Sequence, residues 1–354
     1  MTERHSMFAA CMSVISCAVL VCTAALAADA SSSYGIAAKR PVFGGACPVC
    51  IWGPIGEAVK EAMKPYGYDV QICYNCNRTD SPRFVAKALI PRDLSPAERA
   101  LGDPPPPKAP VDFGVTNAHT LWFAYDGLYD YKADGPQHQL RLIAFLGDPH
   151  YFLAAVKADS GITDLRQIKE KHLPVRVLAD QNAMGHAVLE YYGITQEALE
   201  SWGGKLLPPD AAGRKSFDVI ISDHASLTNN VENELFYEVS QQYSLRYLEL
   251  APQLREQLTG QFKLDQVDVP LELLRGIDRP IPTVARNGQA IYARADAPDD
   301  FAYVVAKSID EHQRLLEYLN RPYFYDIHHV WKTVGAVPLH PGAQRYYKEV
   351  GYMK

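Results

Sequence analysis

The sequence has no long cluster of Lys or Arg, and its 35 basic against 41 acidic residues leave a formal net charge of −6. A nucleic-acid partner is therefore not expected, since a polyanion calls for a basic face. Also missing are the Gly-rich phosphate loop, the dinucleotide fingerprint, the His-Glu-x-x-His zinc helix and the Gly-x-Ser-x-Gly nucleophile turn. Nothing specifies a cofactor, no residue is assigned a catalytic role, and an enzyme is not expected. Cysteine is scarce, with seven in 354 residues, and Cys11, Cys17 and Cys22 fall in one N-terminal segment. Beyond that segment no stretch approaches the ~18 consecutive apolar residues of a membrane span. There is no internal repeat.

What is present begins with that N-terminal segment. Arg4 and His5 make it weakly positive, Met7 to Leu26 is mostly apolar, and Ala25-Leu26-Ala27 is a small-x-small cleavage pattern. Residues 1–27 read as a cleaved signal peptide, which places the rest in the periplasm. The 47% hydrophobic and 21% charged content is that of an ordinary globular chain. Residues 28–354 exceed one comfortable core and suit two lobes of roughly 150 residues each.

Arg40 to Phe43 reads as a strand ending at Gly44-Gly45. A helix follows with Pro54 in its first turn and Ile55, Ala58, Val59, Ala62 and Met63 on one face. Tyr68 to Cys73 alternates as a second strand, and Ser81-Pro82-Arg83 opens another helix. That is a βαβ unit with parallel strands. Residues 91–110, ending in Pro104 to Pro107, are expected to form an irregular surface insertion. Further strands are expected at 111–115, 140–146, 151–156, 175–179 and 217–221, with helices from about His119, at 162–168, from Met184, and at about 300–320, 322–333 and 341–350. The alternation defines an α/β fold whose ligand sites lie at the carboxyl ends of the strands.

The run Pro338-Leu339-His340-Pro341-Gly342-Ala343-Gln344-Arg345-Tyr346-Tyr347-Lys348-Glu349-Val350-Gly351 resembles the terminal signature of the TAXI family. Those proteins are the receptor subunits of tripartite ATP-independent periplasmic (TRAP) transporters. Gly44-Gly45, Phe113-Gly114-Val115-Thr116-Asn117-Ala118, Asp159-Ser160-Gly161-Ile162-Thr163-Asp164-Leu165 and Ser216-Phe217-Asp218-Val219 are similar to family segments in the same order. The resemblance implies a type II periplasmic-binding-protein fold: two α/β lobes, a hinge and a ligand cleft between them. Matching positions put lobe one at 28–148 and 246–354, and lobe two at 149–245. It further implies a monomeric receptor that captures a small organic anion, a carboxylate or amino-acid-like molecule, and delivers it to TRAP membrane subunits. Two departures fall on pocket loops: Gly44-Gly45-Ala46-Cys47-Pro48-Val49-Cys50 replaces an aromatic turn, and Asn117 stands where many members carry Asp.

The remaining cysteines form two motifs, Cys47-Pro48-Val49-Cys50 and Cys73-Tyr74-Asn75-Cys76. Each follows or ends a strand of the same βαβ unit, and adjacent strands lie ~4.8 Å apart, within disulfide reach. Two structural disulfides are expected in an oxidising compartment, with pairing across the motifs favoured because it ties the loops together. A four-thiolate zinc site and a redox-active dithiol are the competing readings, and they define the alternative function: a periplasmic thiol-redox or metal-handling protein.

Candidate ligand contacts follow from position at strand ends and helix starts. Gly44 and Gly45 let backbone N–H groups approach an anion. Asn117 and His119 flank the next strand end; Asn182, Met184 and Gly185 open a helix; Asp223 and His224 follow the strand at 217–221. Arg83 is the candidate fork for a carboxylate, with Arg78 second to it. Trp52 and Tyr74 are candidate walls. His340, before Pro341-Gly342, is expected to make a structural hydrogen bond where the last helix begins.

Overall fold

The computed structural model describes residues 34–48, 50–77, 80–226, 234–320 and 324–354. The expected signal peptide and Arg78 lie outside the described residues. Among those described, no helix is long and apolar enough to cross a membrane.

Lobe one opens with the βαβ unit. Strand β1 (Val42–Gly45) leads to helix α1 (Trp52–Met63), and β2 (Gln71–Asn77) returns parallel to β1. Trp52, Ile55, Ala58, Val59, Ala62 and Met63 recur at helical spacing and are all buried. Helix α2 (Asp80–Ala86) precedes β3 (Phe113–Asn117), which pairs parallel with β1 and runs directly into α3 (Ala118–Asp126). Phe43, Phe113 and Phe301 meet edge to face at 4.9 and 5.2 Å, and each such pair adds ~0.5–1.5 kcal/mol to its area burial. The insertion at 91–110 does hold one regular element, the short helix Pro96–Ala100, which Ser95 and Glu98 close with a capping box.

The two strands expected at 140–146 and 151–156 are a single 18-residue strand, β4 (Leu140–Lys157). Lobe two contains β5 (Arg176–Ala179), α4 (Ala183–Tyr192), β6 (Lys205–Leu207), β7 (Val219–Ser226) and α5 (Glu234–Gln242). Then come β8 (Leu245–Leu248), α6 (Pro252–Phe262), β9 (Asp265–Val269) and the 14-residue β10 (Ile281–Arg294). Helices α7 (Asp299–Glu311) and α8 (Pro341–Glu349) pack on each other, and α7 also packs on α1. The strand order is β2-β1-β3-β10-β4-β7-β5-β6, with β8 added to β4 and β9 to β10. This is a two-lobed α/β architecture in which β4 and β10 run through both lobes, as the type II fold requires.

β8 pairs with the end of β4 and β9 with the start of β10. Tyr247, Val269, Ile277 and Ile281 share a core with Tyr151, Leu178 and Ile220. Residues of the stretch 246–285 thus meet both groups of elements, since Phe262 at the end of α6 also packs on Phe123 and Tyr129 beside α3.

Where the strands pass between lobes the ladder is broken twice. Asn287 faces Pro149 while Gln289 faces Leu146, so β4 carries an extra residue around Asp148. Gly288 sits there with φ +86°, and a Cβ on it would lie 2.2 Å from the Phe145 ring. Tyr151 faces Ala225 while Leu153 faces Ser222, so β7 carries an extra residue around Asp223 and His224.

The disulfides are a correction to the favoured pairing. Cys47 bonds Cys50 and Cys73 bonds Cys76, each with Cα atoms 5.5 Å apart. Cys47 and Cys50 pack with Ile55 and Phe301, whereas Cys73 and Cys76 pack with Val42, Val85 and Val111. The pairs thus belong to cores on opposite faces of the sheet. Ile72 to Asn77 spans five steps of β2 opposite two steps of β1, and that bulge folds Cys73 back towards Cys76. Four thiols divided between two faces cannot converge on one zinc ion.

Candidate functional site

The two bulges determine which side chains meet between the lobes. In a regular strand Asp223 and His224 would point to opposite faces. The extra residue in β7 brings both towards Asp180, just past the carboxyl end of β5. His224 Nδ1 lies 3.0 Å from Asp180 Oδ1 and 3.0 Å from Ser222 Oγ. The Asp223 N–H donates to Asp180 Oδ2 at 2.8 Å. Burial alone would lower the His224 pKa, but the Asp180 and Asp223 carboxylates outweigh it and raise it to about 9. Burial would raise Asp223, yet Arg286, His224 and His150 hold it well below the usual carboxylate range.

Arg286, on β10, joins the lobes. Its Nε donates to Asp223 Oδ2 at 2.5 Å, its Nη1 donates to Asn117 Oδ1, and its Nη2 lies 3.3 Å from His150 Nδ1. His150 Nε2 meets Asp148 Oδ2 at 2.8 Å, and Asp148 also accepts from Gln289 (3.1 Å) and Ser226 (3.0 Å). The Trp52 indole N–H donates to Gln289 Oε1 at 2.7 Å. A continuous buried polar network therefore runs from the start of α1 in lobe one to Asp180 in lobe two.

A cavity of about 350 Å³ opens on this network. Trp52, Phe123, Tyr129 and Tyr131 form its aromatic walls, and Asp180, Asp223, His224 and Arg286 its charged side. The start of α4 closes a third side through Asn182, Ala183 and Met184. Asn182 Oδ1 caps the helix by accepting from the Gly185 N–H at 2.8 Å. A Cβ on Gly185 would lie 2.2 Å from the Asp180 carbonyl, so glycine there lets α4 approach the site closely. His119 also lines the cavity; burial lowers its pKa to about 4, and its Nδ1 has no hydrogen-bond partner.

Of the candidates from sequence, Trp52, Asn117, His119, Asn182, Met184, Asp223 and His224 line this one cavity. Arg83 and Tyr74 do not: both line a separate surface groove. Arg83 is held by Asp134 (2.7 Å) and Asp80 (2.9 Å) and stacks on Tyr131, 4.6 Å from its centroid, so it braces a wall from behind. The Tyr74 hydroxyl donates to Glu57 at 2.6 Å. Gly44 and Gly45 are buried in packing: a Cβ on Gly45, at φ +98°, would lie 2.0 Å from the Val115 carbonyl. His340 caps α8, accepting from the Gly342 N–H at 3.2 Å, as expected.

Sequence reasoning missed Asp180, Arg286, Asp148, His150 and Gln289. Asp180 was accessible through the strand-end rule, since it follows Val175–Ala179 directly. The other four sit inside or beside long strands, where nothing local separates a site residue from a paired one.

The two lobes enclose a cavity of a size that suits a small molecule. The chain belongs to the NMT1-like family, whose model matches residues 108–351. Among solved structures it is similar to a TctC solute-binding protein from Polaromonas, at 12% identity over 81% of this chain and 90% of that one, TM-score 0.42. MatC from Rhodopseudomonas palustris with bound malate matches at 10% identity over 79% and 86%, TM-score 0.41. A second R. palustris protein, with adipate, matches at 12% identity over 79% and 87%, TM-score 0.41.

Proposed function

We propose that the chain is a periplasmic receptor that captures a small organic anion, a carboxylate or an amino-acid-like molecule, and delivers it to the membrane subunits of a TRAP transporter. The observation that carries the binding half is the place of the cavity. It lies between the lobes, beside both strand bulges, with the N-terminus of the ten-residue α4 at its wall. The first N–H groups of that helix have no carbonyl one turn back, and the helix dipole favours negative charge there. A volume near 350 Å³ suits a molecule of few heavy atoms, and the aromatic walls suit its carbon skeleton. Ligand in this position touches both lobes and favours their closure. The TRAP half is supported by the ordered TAXI-like segments of the sequence.

The test is a thermal-shift screen of organic acids and amino acids on protein purified from periplasm. A true ligand at 100 times its Kd adds ~2.7 kcal/mol to stability, and a clear rise in Tm is expected for at least one compound. Folded protein that shows no shift with any compound overturns the binding half. Loss of uptake of that compound on deleting the chain, with the TRAP membrane subunits present, is the expected result for the delivery half.

A further inference from the structure

The charges at the cavity do not suit an anion arriving alone. Asp180 and Asp223 are both buried in its wall, 2% and 3% exposed. Arg286, the guanidinium at the site, is already engaged with Asp223, Asn117 and His150. Arg286 and His224 already pair with Asp223 and Asp180, so a carboxylate entering here meets no uncommitted cation among the described lining residues, and burying unmatched charge is costly.

Three donor atoms meet at this point. Asp180 Oδ1, Asp223 Oδ1 and His224 Nδ1 all lie within 4.8 Å of one another. Asp223 Oδ1 is buried and accepts no hydrogen bond, so one lone-pair face of the cluster is unmatched. The other oxygen of each carboxylate is fixed from behind. Arg286 Nε holds Asp223 Oδ2 at 2.5 Å, and the Asp223 N–H holds Asp180 Oδ2 at 2.8 Å. Outer partners of this kind orient metal-ligating carboxylates. All three residues also line the cavity, which leaves room for further ligands on that side.

We infer that Asp180, Asp223 and His224 bind a divalent transition-metal cation, and that the solute's carboxylate completes its coordination from the cavity. One imidazole nitrogen with two carboxylate oxygens suits Mn2+ or Zn2+. The ion takes the place of the proton between Asp180 Oδ1 and His224 Nδ1. Two carboxylates neutralise it, and Arg286 leaves the assembly with one positive charge, which the solute's carboxylate balances. This inference deepens the proposed function: the solute part rests on that reading, while the metal site stands on its own three ligands.

The test titrates EDTA-stripped full-length protein calorimetrically with MnCl2 and ZnCl2 alone. One equivalent is expected to bind, with affinity reduced more than about tenfold in both Asp180→Asn and His224→Gln. Exposed His329 next to Asp326 offers metal-ligating atoms away from the cavity, so His329→Ala serves as the control and is expected to change nothing. The Tm of each variant without metal reports that it is folded. The acid panel is then repeated with EDTA and with Mn2+, and affinity at least about tenfold higher with Mn2+ is expected. Absent metal binding, or binding unaltered in folded Asp180→Asn and His224→Gln, overturns the metal site; acids that still bind in EDTA then leave the receptor reading intact. Metal binding without any acid binding supports the metal site and overturns the receptor reading.

Discussion

Asp112 is buried beside β1, where its carboxylate accepts the Val42 N–H at 2.8 Å. Burial raises its pKa to about 6, against the pull of that N–H and of Arg294. The folded protein therefore keeps the proton to higher pH than the unfolded chain, where an Asp titrates near ~3.9. The resulting stability is complete below about pH 4 and is lost as pH rises through about 6, an effect of up to ~3 kcal/mol. Asp112→Asn keeps an acceptor for Val42 and removes the charge. Its urea midpoint is expected to exceed wild type at pH 8 and to match it near pH 4. No sequence signal marks Asp112 as unusual, since its burial depends on where residue 42 lies. Asn117, Asp223 and His224 were legible for the opposite reason, being read from their position at strand ends. Arg83 shows how that rule fails: a well-placed arginine is no anchor once Asp80 and Asp134 hold it.

Elements were legible where one period dominated. α1 shows its buried face in the sequence, and β5 with α4 follow a simple strand-then-cap pattern. The sequence reads as two strands at 140–146 and 151–156, whereas in the fold the residues between them form a bulge within one continuous strand. Bulges leave no reliable mark on local sequence, because a single extra residue is defined by the partner strand. Gly288, opposite this one, is the exception, since its positive φ and the Phe145 ring together demand glycine. Gly288→Ala is expected to destabilise by roughly 1–3 kcal/mol, from strain and from displacement of a packed ring. Equilibrium denaturation checks this. Asn117→Ser, at a neighbouring position that imposes no such backbone, is the comparison and should cost less.

At the scale of the molecule the lobes are linked by two strands and by side chains that include the Arg286 guanidinium. Arg286 reaches Asn117 of lobe one and Asp223 of lobe two, so its loss acts on the lobes' relative placement and on Asp223 together. Arg286→Met leaves Asp223 buried beside no arginine and is expected to destabilise by ~3–5 kcal/mol. Arg286→Lys restores charge without the fork and should recover only part of that, read from urea midpoints of the three proteins. The two-lobed plan was legible from length, strand–helix alternation and the family-like segments. The pairing of β8 with β4 and of β9 with β10 was not, because short strands carry no label saying which long strand they will join.

The place of β10 also bears on the order in which the protein can be made. It lies between β3 and β4, so the central sheet of lobe one has a gap until residue 294 has been synthesised. Lobe two needs only the first residues of β10 and can close earlier. During synthesis, β3 and the first half of β4 are thus held as exposed edges while more than a hundred residues emerge, a period of exposure to edge-to-edge association.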